Sequence, residues 1–99
     1  MITSVNNELV KETVKLQQKK FRDRENKFLL EGFKCIEEAF NAGIEIEYAF
    51  TADEEKYSFL SDKVILTKEA VLKKASTTDT APDAVAVAVK KNYTLSDLK

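Results

Sequence analysis

The sequence is poor in the residue types on which most enzyme active sites depend. Among its 99 residues it has no histidine, one cysteine (Cys35) and two glycines, Gly32 and Gly43. Without histidine, a Ser-His-Asp triad, a Cys-His pair and a histidine-ligated zinc site are excluded. Two glycines cannot build the glycine-rich loops that hold nucleotide phosphates, and neither GxGxxG nor GxxxxGK[ST] is present. A complete enzyme within these residues is therefore not expected.

Other absences define the broad class of the protein and its expected location. No apolar run approaches the roughly 18 residues of a membrane span, and residues 1–7 lack the basic start and apolar stretch of a secretory signal. A single cysteine cannot form an internal disulfide, which favours a reducing cytoplasm. Cys35 lies on a mostly apolar helix face and is expected in the core. With 43% hydrophobic and 33% charged residues, the composition is that of one globular domain.

Hydrophobic periodicity predicts that helices and strands alternate along the chain. Residues 7–22 read as one helix with a basic face opposite a mostly apolar face. Residues 28–30 fit a strand buried on both faces, and residues 32–42 fit a helix that ends at Gly43. Residues 44–50 are apolar at every second position, which indicates a strand with one face in the core and the other partly in water.

The second half of the chain continues this alternation. A short helix is predicted for residues 53–60, a short strand for 64–66, and a helix for 68–74 that Thr67 caps. Residues 84–89 alternate alanine and valine, so both faces are apolar and an interior strand is expected. Four strands alternating with helices predict an α/β fold, namely a three-layer α/β/α sandwich around a mostly parallel four-stranded central sheet.

Positive charge is concentrated at the beginning of the chain. Residues 1–34 carry eight basic and five acidic residues, a net charge of +3, whereas residues 35–99 carry eight basic and twelve acidic residues, a net charge of −4. The basic face of the first helix could contact successive phosphates. By composition alone, a solvated helix face is the preferred interpretation. Phe21 is the only aromatic residue interleaved with these basic residues, so stacking on single-stranded bases is not supported.

The turn at Glu31-Gly32 joins a predicted buried strand to a helix. The free N–H groups at the start of that helix would lie at the carboxyl end of the strand, where anions bind readily, and Lys34 would add positive charge. In the alternative interpretation, which the spacing by itself favours, Gly32 only permits the turn and Glu31 caps the helix.

Several short motifs in a fixed order resemble one known family. They are, in chain order, Ile2-Thr3-Ser4, Asn7, Val10-Lys11, Leu16, Lys19-Lys20-x-Arg22, Phe28-Leu29-Leu30-Glu31-Gly32, Ile36-Glu37-Glu38-Ala39 and Asp79-Thr80-x-Pro82. As a set they resemble the N-terminal substrate-binding domain of SpoU/TrmH-type (SPOUT-class) RNA ribose 2′-O-methyltransferases, over roughly residues 2–90. The family often has Pro-Gln-Gly where this chain has Pro82-Asp83-Ala84, and Asp83 would repel phosphate there.

The resemblance implies a fold and a role. The family's domain is a three-layer α/β/α unit similar to the ribosomal proteins that bind kinked RNA helices (kink-turns). It precedes a catalytic domain that binds S-adenosylmethionine, dimerises and methylates a ribose 2′-hydroxyl of ribosomal or transfer RNA. On this basis residues 1–90 are expected to form the RNA substrate-binding domain, and residues 91–99 the start of a linker to a catalytic domain that this stretch lacks. The stretch would then hold no cofactor and be inactive by itself.

The resemblance also implies which residues contact RNA, and it reverses the preference for a solvated helix face. The predicted RNA-binding residues are Asn7, Lys11, Lys15, Lys19, Lys20, Arg22, Glu31, Gly32 and Lys34. No catalytic, cofactor-binding or metal site is predicted. The expected partner is structured RNA, in particular ribosomal RNA, and no membrane is involved. The parent enzyme is expected to be a cytoplasmic homodimer that assembles through its catalytic domain.

Two alternatives to an RNA-recognition domain of an rRNA methyltransferase stay open. One is a stand-alone protein of the ribosomal type that binds kinked RNA. The other is a protein-interaction domain with no RNA role, in which the acidic part of the chain, with its net charge of −4, faces a partner.

Overall fold

The computed structural model describes residues 1–90, which form four helices, a 3₁₀ segment and four strands. The helices are α1 (Glu8–Lys15), α2 (Lys19–Glu25), α3 (Phe33–Asn41) and α4 (Glu69–Ala75), the 3₁₀ segment spans Ser58–Lys63, and the strands are β1 (Lys27–Glu31), β2 (Ile46–Thr51), β3 (Val64–Leu66) and β4 (Ala84–Val89). The predicted linker, residues 91–99, lies outside the described residues. None of the helices within residues 1–90 is long and apolar enough to cross a membrane.

Helices cover both faces of the sheet, so the three-layer arrangement is confirmed. On one face, Val10 of α1 and Val71 of α4 pack with the valines of β4. On the other face, Ile36 of α3 and Leu60 of the 3₁₀ segment pack with the alanines of β4. The alanines and the first two valines of β4 are fully buried, so the prediction of an interior strand is confirmed.

The sheet is mixed, which corrects the prediction of a mostly parallel sheet. Its strand order is β1-β4-β2-β3, with β4 antiparallel to β1 and β2, and β2 parallel to β3. The cause is the path of the chain after β3. The seven-residue α4 is only about 10 Å long and leads to Ser76, whose hydroxyl lies 2.7 Å from Glu31 at the carboxyl end of β1. The chain thus crosses from β3 towards β1 at the carboxyl ends of these strands. β4 starts at that end, and it therefore runs antiparallel to β1 and β2, between which it lies.

The neighbours of β4 differ from their predicted environments. β1 is an edge strand, because β4 lies between it and the rest of the sheet, and its Phe28 and Leu29 are only partly buried. In β2, the pairing register with β4 shifts between Ile46 and Tyr48. Tyr48 then faces the α1/α4 layer, whereas Ile46 faces the α3 layer. Both faces of β2 therefore contribute to the core, and the predicted contact of one face with water is confirmed only at Glu47, which is exposed.

The predicted helix 7–22 is interrupted. The N–H groups of Leu16, Gln17 and Gln18 donate to carbonyls three residues back, each at 3.0 Å, which tightens the chain into a 3₁₀ turn. Gln18 is extended, with φ −104° and ψ 132°. The Gln17 amide donates to the carbonyls of Lys74 and Ser76 at 3.0 and 3.2 Å. Because these partners follow 57 and 59 residues later, helical periodicity cannot reveal the break.

Three local predictions also need correction. The segment predicted as a helix over 53–60 has regular structure only from Ser58 onwards, as the 3₁₀ segment. Thr67 does not cap α4, since the N-cap position is Lys68 and Thr67 is buried, with its N–H donating to the Thr51 carbonyl at 2.8 Å. Cys35 is exposed on α3 rather than in the core.

Candidate nucleic-acid interface

Three of the predicted RNA-binding lysines form ion pairs within their own helices. The Nζ atoms of Lys11, Lys15 and Lys19 lie 3.8, 3.1 and 2.7 Å from the carboxylates of Glu8, Glu12 and Asp23, respectively. Such exposed pairs contribute only about 0–1 kcal/mol each, so a phosphate could replace the carboxylate. α1 has no net charge, because its two lysines are balanced by two glutamates.

The excess positive charge lies on α2. Its sequence Lys19-Lys20-Phe21-Arg22-Asp23-Arg24-Glu25 has four basic and two acidic residues, a net charge of +2. Among residues 1–90, Lys20 and Arg24 form no ion pair, so their charges are available to a ligand. Arg24 is absent from the predicted set, because both the predicted helix and the Lys19-Lys20-x-Arg22 motif end at residue 22. The sequence could have indicated Arg24, because four of the six residues from Lys19 to Arg24 are basic.

Arg22 lies between the two features that the sequence predicts to bind RNA, namely the basic helix and the strand-to-helix turn at Glu31-Gly32. Its Nη1 donates to the carbonyl of Leu16 at 3.0 Å, which satisfies a free carbonyl at the end of α1. Arg22 and Glu31 also line one shallow pocket at the edge of β1, together with Leu16, Phe28, Leu29 and Thr77. The structure therefore brings the basic helix and the strand-to-helix turn together, while one nitrogen of Arg22 is already used to hold the fold.

Asn7 is the N-cap of α1. Its Oδ1 accepts a hydrogen bond from the N–H of Leu9 at 2.8 Å, as expected for a capping asparagine. The side chain is exposed. Asn7 therefore stabilises the start of α1, and contact between Asn7 and RNA stays a prediction.

Glu31 holds the segment that follows α4 against the end of β1. Its Oε1 accepts from the Ser76 hydroxyl at 2.7 Å and from the Thr77 N–H at 3.0 Å, and its Oε2 accepts from the Thr77 hydroxyl. Partial burial raises the pKa of the Glu31 carboxyl, but the hydrogen bonds from Thr77 and Ser76 outweigh it, so the pKa lies below its ordinary value. The alternative interpretation of Glu31 as a helix cap is wrong, because its bonds run to residues 45 and 46 positions away.

Gly32 makes the transition from β1 to α3. Its φ of 90° and ψ of 159° fall in a region that only glycine adopts readily. Its N–H donates to the Ala84 carbonyl at 3.0 Å, and its carbonyl accepts from the N–H of Ile36 at 3.1 Å. Gly32 thus ends the sheet hydrogen bonds and starts α3. Lys34 follows in the first turn of α3 and is exposed.

Asp83 lies at the same end of the sheet. Its carboxylate accepts from the Tyr57 hydroxyl at 2.5 Å and from Lys56, and its carbonyl accepts from the Thr51 hydroxyl at 2.7 Å. Partial burial raises the pKa of Asp83, but the hydrogen bonds from Lys56 and Tyr57 lower it below its usual value. Burial and the bond to Asp83 raise the pKa of Tyr57. Because Lys56 offsets the charge of Asp83, the repulsion of phosphate expected at this turn is weakened.

Comparison with known proteins supports the resemblance described above. A family model described as the MRM3-like substrate binding domain matches residues 7–86. A crystal structure of an RNA 2′-O ribose methyltransferase is 38% identical with a TM-score of 0.79, covering 95% of this chain and 39% of that chain. An rRNA methyltransferase from Sinorhizobium meliloti is 27% identical with a TM-score of 0.76, covering 94% of this chain and 37% of that chain. No curated protein sequence matches significantly.

A more distant structure shows the same fold. The SpoU methyltransferase AviRb from Streptomyces viridochromogenes, solved in complex with AdoMet, is 18% identical with a TM-score of 0.75, covering 92% of this chain and 38% of that chain. The chain thus spans less than two fifths of the length of each of these methyltransferases. From the match over residues 7–86, the chain belongs to the MRM3-like substrate-binding domain family, which confirms the resemblance to the substrate-binding domain of SpoU/TrmH methyltransferases.

Proposed function

We propose that this chain recognises structured ribosomal RNA on behalf of an S-adenosylmethionine-dependent ribose 2′-O-methyltransferase. The observation that carries the proposal is the match of residues 7–86 to a substrate-binding domain family. Residues 1–90 would form that domain, as the end of β4 at Val89 supports, and residues 91–99 would begin the linker to the catalytic domain. Cofactor binding, methyl transfer and homodimerisation would then belong to the remainder of the enzyme, in the cytoplasm.

The edge of the sheet at β1 is the best-supported RNA-binding face. Lys20, Arg22 and Arg24 lie on the helix that precedes β1, and Lys34 lies in the first turn of the helix that follows it. Positive groups on the two helices that flank β1 can contact a few phosphates, which contribute affinity but no sequence choice. We therefore expect weak binding that decreases as salt increases. The family resemblance also implies a similarity to ribosomal proteins that bind kinked RNA helices. Binding of a kinked RNA helix at this face stays a prediction.

Charge reversal at the two edges of the sheet tests the proposal. The double variant Lys20→Glu/Lys34→Glu changes exposed residues beside β1. The control Lys63→Glu/Lys68→Glu makes the same change in net charge beside β3, the opposite edge strand, where both lysines are also exposed. A transcribed fragment of ribosomal RNA is titrated with each protein at several salt concentrations. Loss of two phosphate contacts should reduce the slope of log K against log salt by about 1.4–1.8.

The outcomes separate the possible functions. Weaker binding and a smaller slope for the β1-edge variant alone support the proposal. Equal weakening by both variants would show a general effect of charge and contradict the assignment of the face. Absence of measurable binding by the wild-type chain at low salt would contradict the RNA function and favour the protein-interaction alternative.

A further inference from the structure

Phe21 is a phenylalanine that the core does not explain. The chain has six phenylalanines. Phe50 is buried in one core cluster, and Phe28, Phe33 and Phe59 pack against the other. Phe21 belongs to neither cluster, and its ring is partly exposed on α2. Phe40 also lies outside both clusters, but its ring packs on that of Phe59, with the centroids 5.1 Å apart. The environment of Phe21 is different.

That environment is formed by positive charges. The ring centroid lies 5.0 Å from Lys20 Nζ, 5.3 Å from Arg24 Cζ and 5.8 Å from Lys15 Nζ. Each cation is attracted by the ring, but the three repel one another. Lys15 is bound to Glu12, whereas Lys20 and Arg24 form no ion pair within residues 1–90. An anion beside Lys20 and Arg24 would relieve this repulsion.

We propose that Phe21, Lys20 and Arg24 form a binding site for an unpaired nucleotide of RNA, with the base stacked on the Phe21 ring and its phosphate bound by Lys20 and Arg24. A base paired inside a helix exposes no face to a side chain, whereas an unpaired base in a loop or bulge can stack on an aromatic ring. A ring combined with neighbouring cations is typical of sites that hold single-stranded nucleic acid. Lys20 is flexible and can leave the ring when a base arrives.

The site extends the β1-edge face and rests on the proposed RNA-binding function. Phe21 and Arg22 are neighbours on α2, and Arg22 lines the pocket that contains Glu31. Phosphates along the edge of β1 would position the RNA, while Phe21 would select for an unpaired base. The sequence alone gives no reason to expect stacking, because Phe21 is the only aromatic residue interleaved with the basic residues at the start of the chain. The structure adds the convergence of cations from α1 and α2 on the Phe21 ring.

Two RNA probes and four proteins test the site. The probes are a hairpin with 2-aminopurine in its loop and a fully paired duplex of the same stem. The proteins are the 99-residue wild type, Phe21→Leu, Phe21→Tyr and the control Phe40→Leu, in which an exposed phenylalanine of α3 is changed. Circular dichroism establishes that each variant is folded. Phe21→Leu should bind the hairpin about tenfold more weakly than wild type, with duplex affinity changed less than about twofold, because a stacked base is lost.

Each result decides a specific point. The site is supported if Phe21→Tyr and Phe40→Leu keep the hairpin affinity and the 2-aminopurine quenching while Phe21→Leu loses both. A purely structural role of Phe21 would not require an aromatic ring. If Phe21→Leu binds both probes like wild type while Lys20→Glu/Lys34→Glu does not, the stacking site is contradicted and the RNA-binding function stands. If Phe21→Leu does not fold, Lys20→Gln/Arg24→Gln must lose hairpin affinity, or the site is contradicted. If wild type binds neither probe, both proposals are contradicted.

Discussion

Replacement of Glu31 by glutamine provides a direct test of how the end of β1 is held. The carboxylate accepts three hydrogen bonds from Ser76 and Thr77, two at Oε1 and one at Oε2. Glutamine has nearly the same shape, and its amide oxygen can accept the same two hydrogen bonds as Oε1. These bonds are then weaker, because the acceptor is no longer charged. Its amide nitrogen cannot accept from the Thr77 hydroxyl, so the third bond must reverse its direction.

The expected cost follows from the change in acceptor charge. Hydrogen bonds to a charged group contribute about 1.5–3 kcal/mol each and neutral ones about 1 kcal/mol. Because Glu31 is partly exposed to solvent, values at the low end apply. Glu31→Gln should therefore reduce the free energy of unfolding by about 1 kcal/mol at neutral pH. With an m-value of about 1 kcal/mol per molar urea, the unfolding midpoint should decrease by about 1 M.

The pH dependence makes this prediction specific to the charge. The pKa of Glu31 is lower in the folded chain than its ordinary value of 4.5. Its charged form therefore adds stability above that ordinary value, and this stability is lost as the pH falls through the lowered folded pKa. Glutamine cannot titrate. The difference in unfolding free energy between wild type and Glu31→Gln should be constant near neutral pH and shrink towards zero below about pH 4.

Urea unfolding followed by circular dichroism, repeated between about pH 7 and pH 3, measures this difference. Glu37→Gln is the matched control, because Glu37 is exposed on α3 and its loss of charge should change the midpoint little. A difference for Glu31→Gln that stays the same at every pH would refute the reasoning, since it would arise from shape rather than from the carboxylate. A difference equal to that of Glu37→Gln would show that the bonds to Ser76 and Thr77 contribute nothing.

Two further substitutions test the local structure at the site. Gly32→Ala should reduce the unfolding free energy by about 1–3 kcal/mol, because φ is 90° although no atom within 4 Å would meet the added Cβ; an unchanged urea midpoint would contradict this conformation. Asn7→Ala should cost about 1 kcal/mol by loss of the cap of α1. In the same assay Asn6→Ala, which removes a neighbouring exposed side chain, should cost clearly less, and equal costs would contradict the capping role.

Much of the fold could be predicted because its signals are local. The alternation of valine and alanine over residues 84–89 requires apolar material on both faces, and the structure places helices on both sides of β4. Gly32 could be located as the turn between β1 and α3, because a single glycine follows a short apolar run. The ordered motifs from Ile2 to Pro82 were sufficient to indicate the family that the comparisons confirm.

The candidate site was only partly predictable, because its side chains have partners far away in the sequence. The basic face predicted on one long helix depends on an unbroken helix, and that helix is interrupted where the Gln17 amide donates to two carbonyls at the end of α4. The excess positive charge therefore lies on α2, which also contains Arg24. Glu31 resembles a helix cap by its position, yet it binds Ser76 and Thr77. Contact of the nine predicted residues with RNA stays a prediction.

The sequence by itself determined most of the helices and strands, the burial of both faces of β4, and the family, because each depends on residues that are neighbours along the chain or on motifs in a fixed order. Only the tertiary structure decided the direction of β4, the break between α1 and α2, and the gathering of three cations on Phe21. These features depend on where α4 ends and on which polar groups it leaves near Gln17 and Glu31. Periodicity records which residues are apolar, but it does not record which distant polar groups satisfy one another.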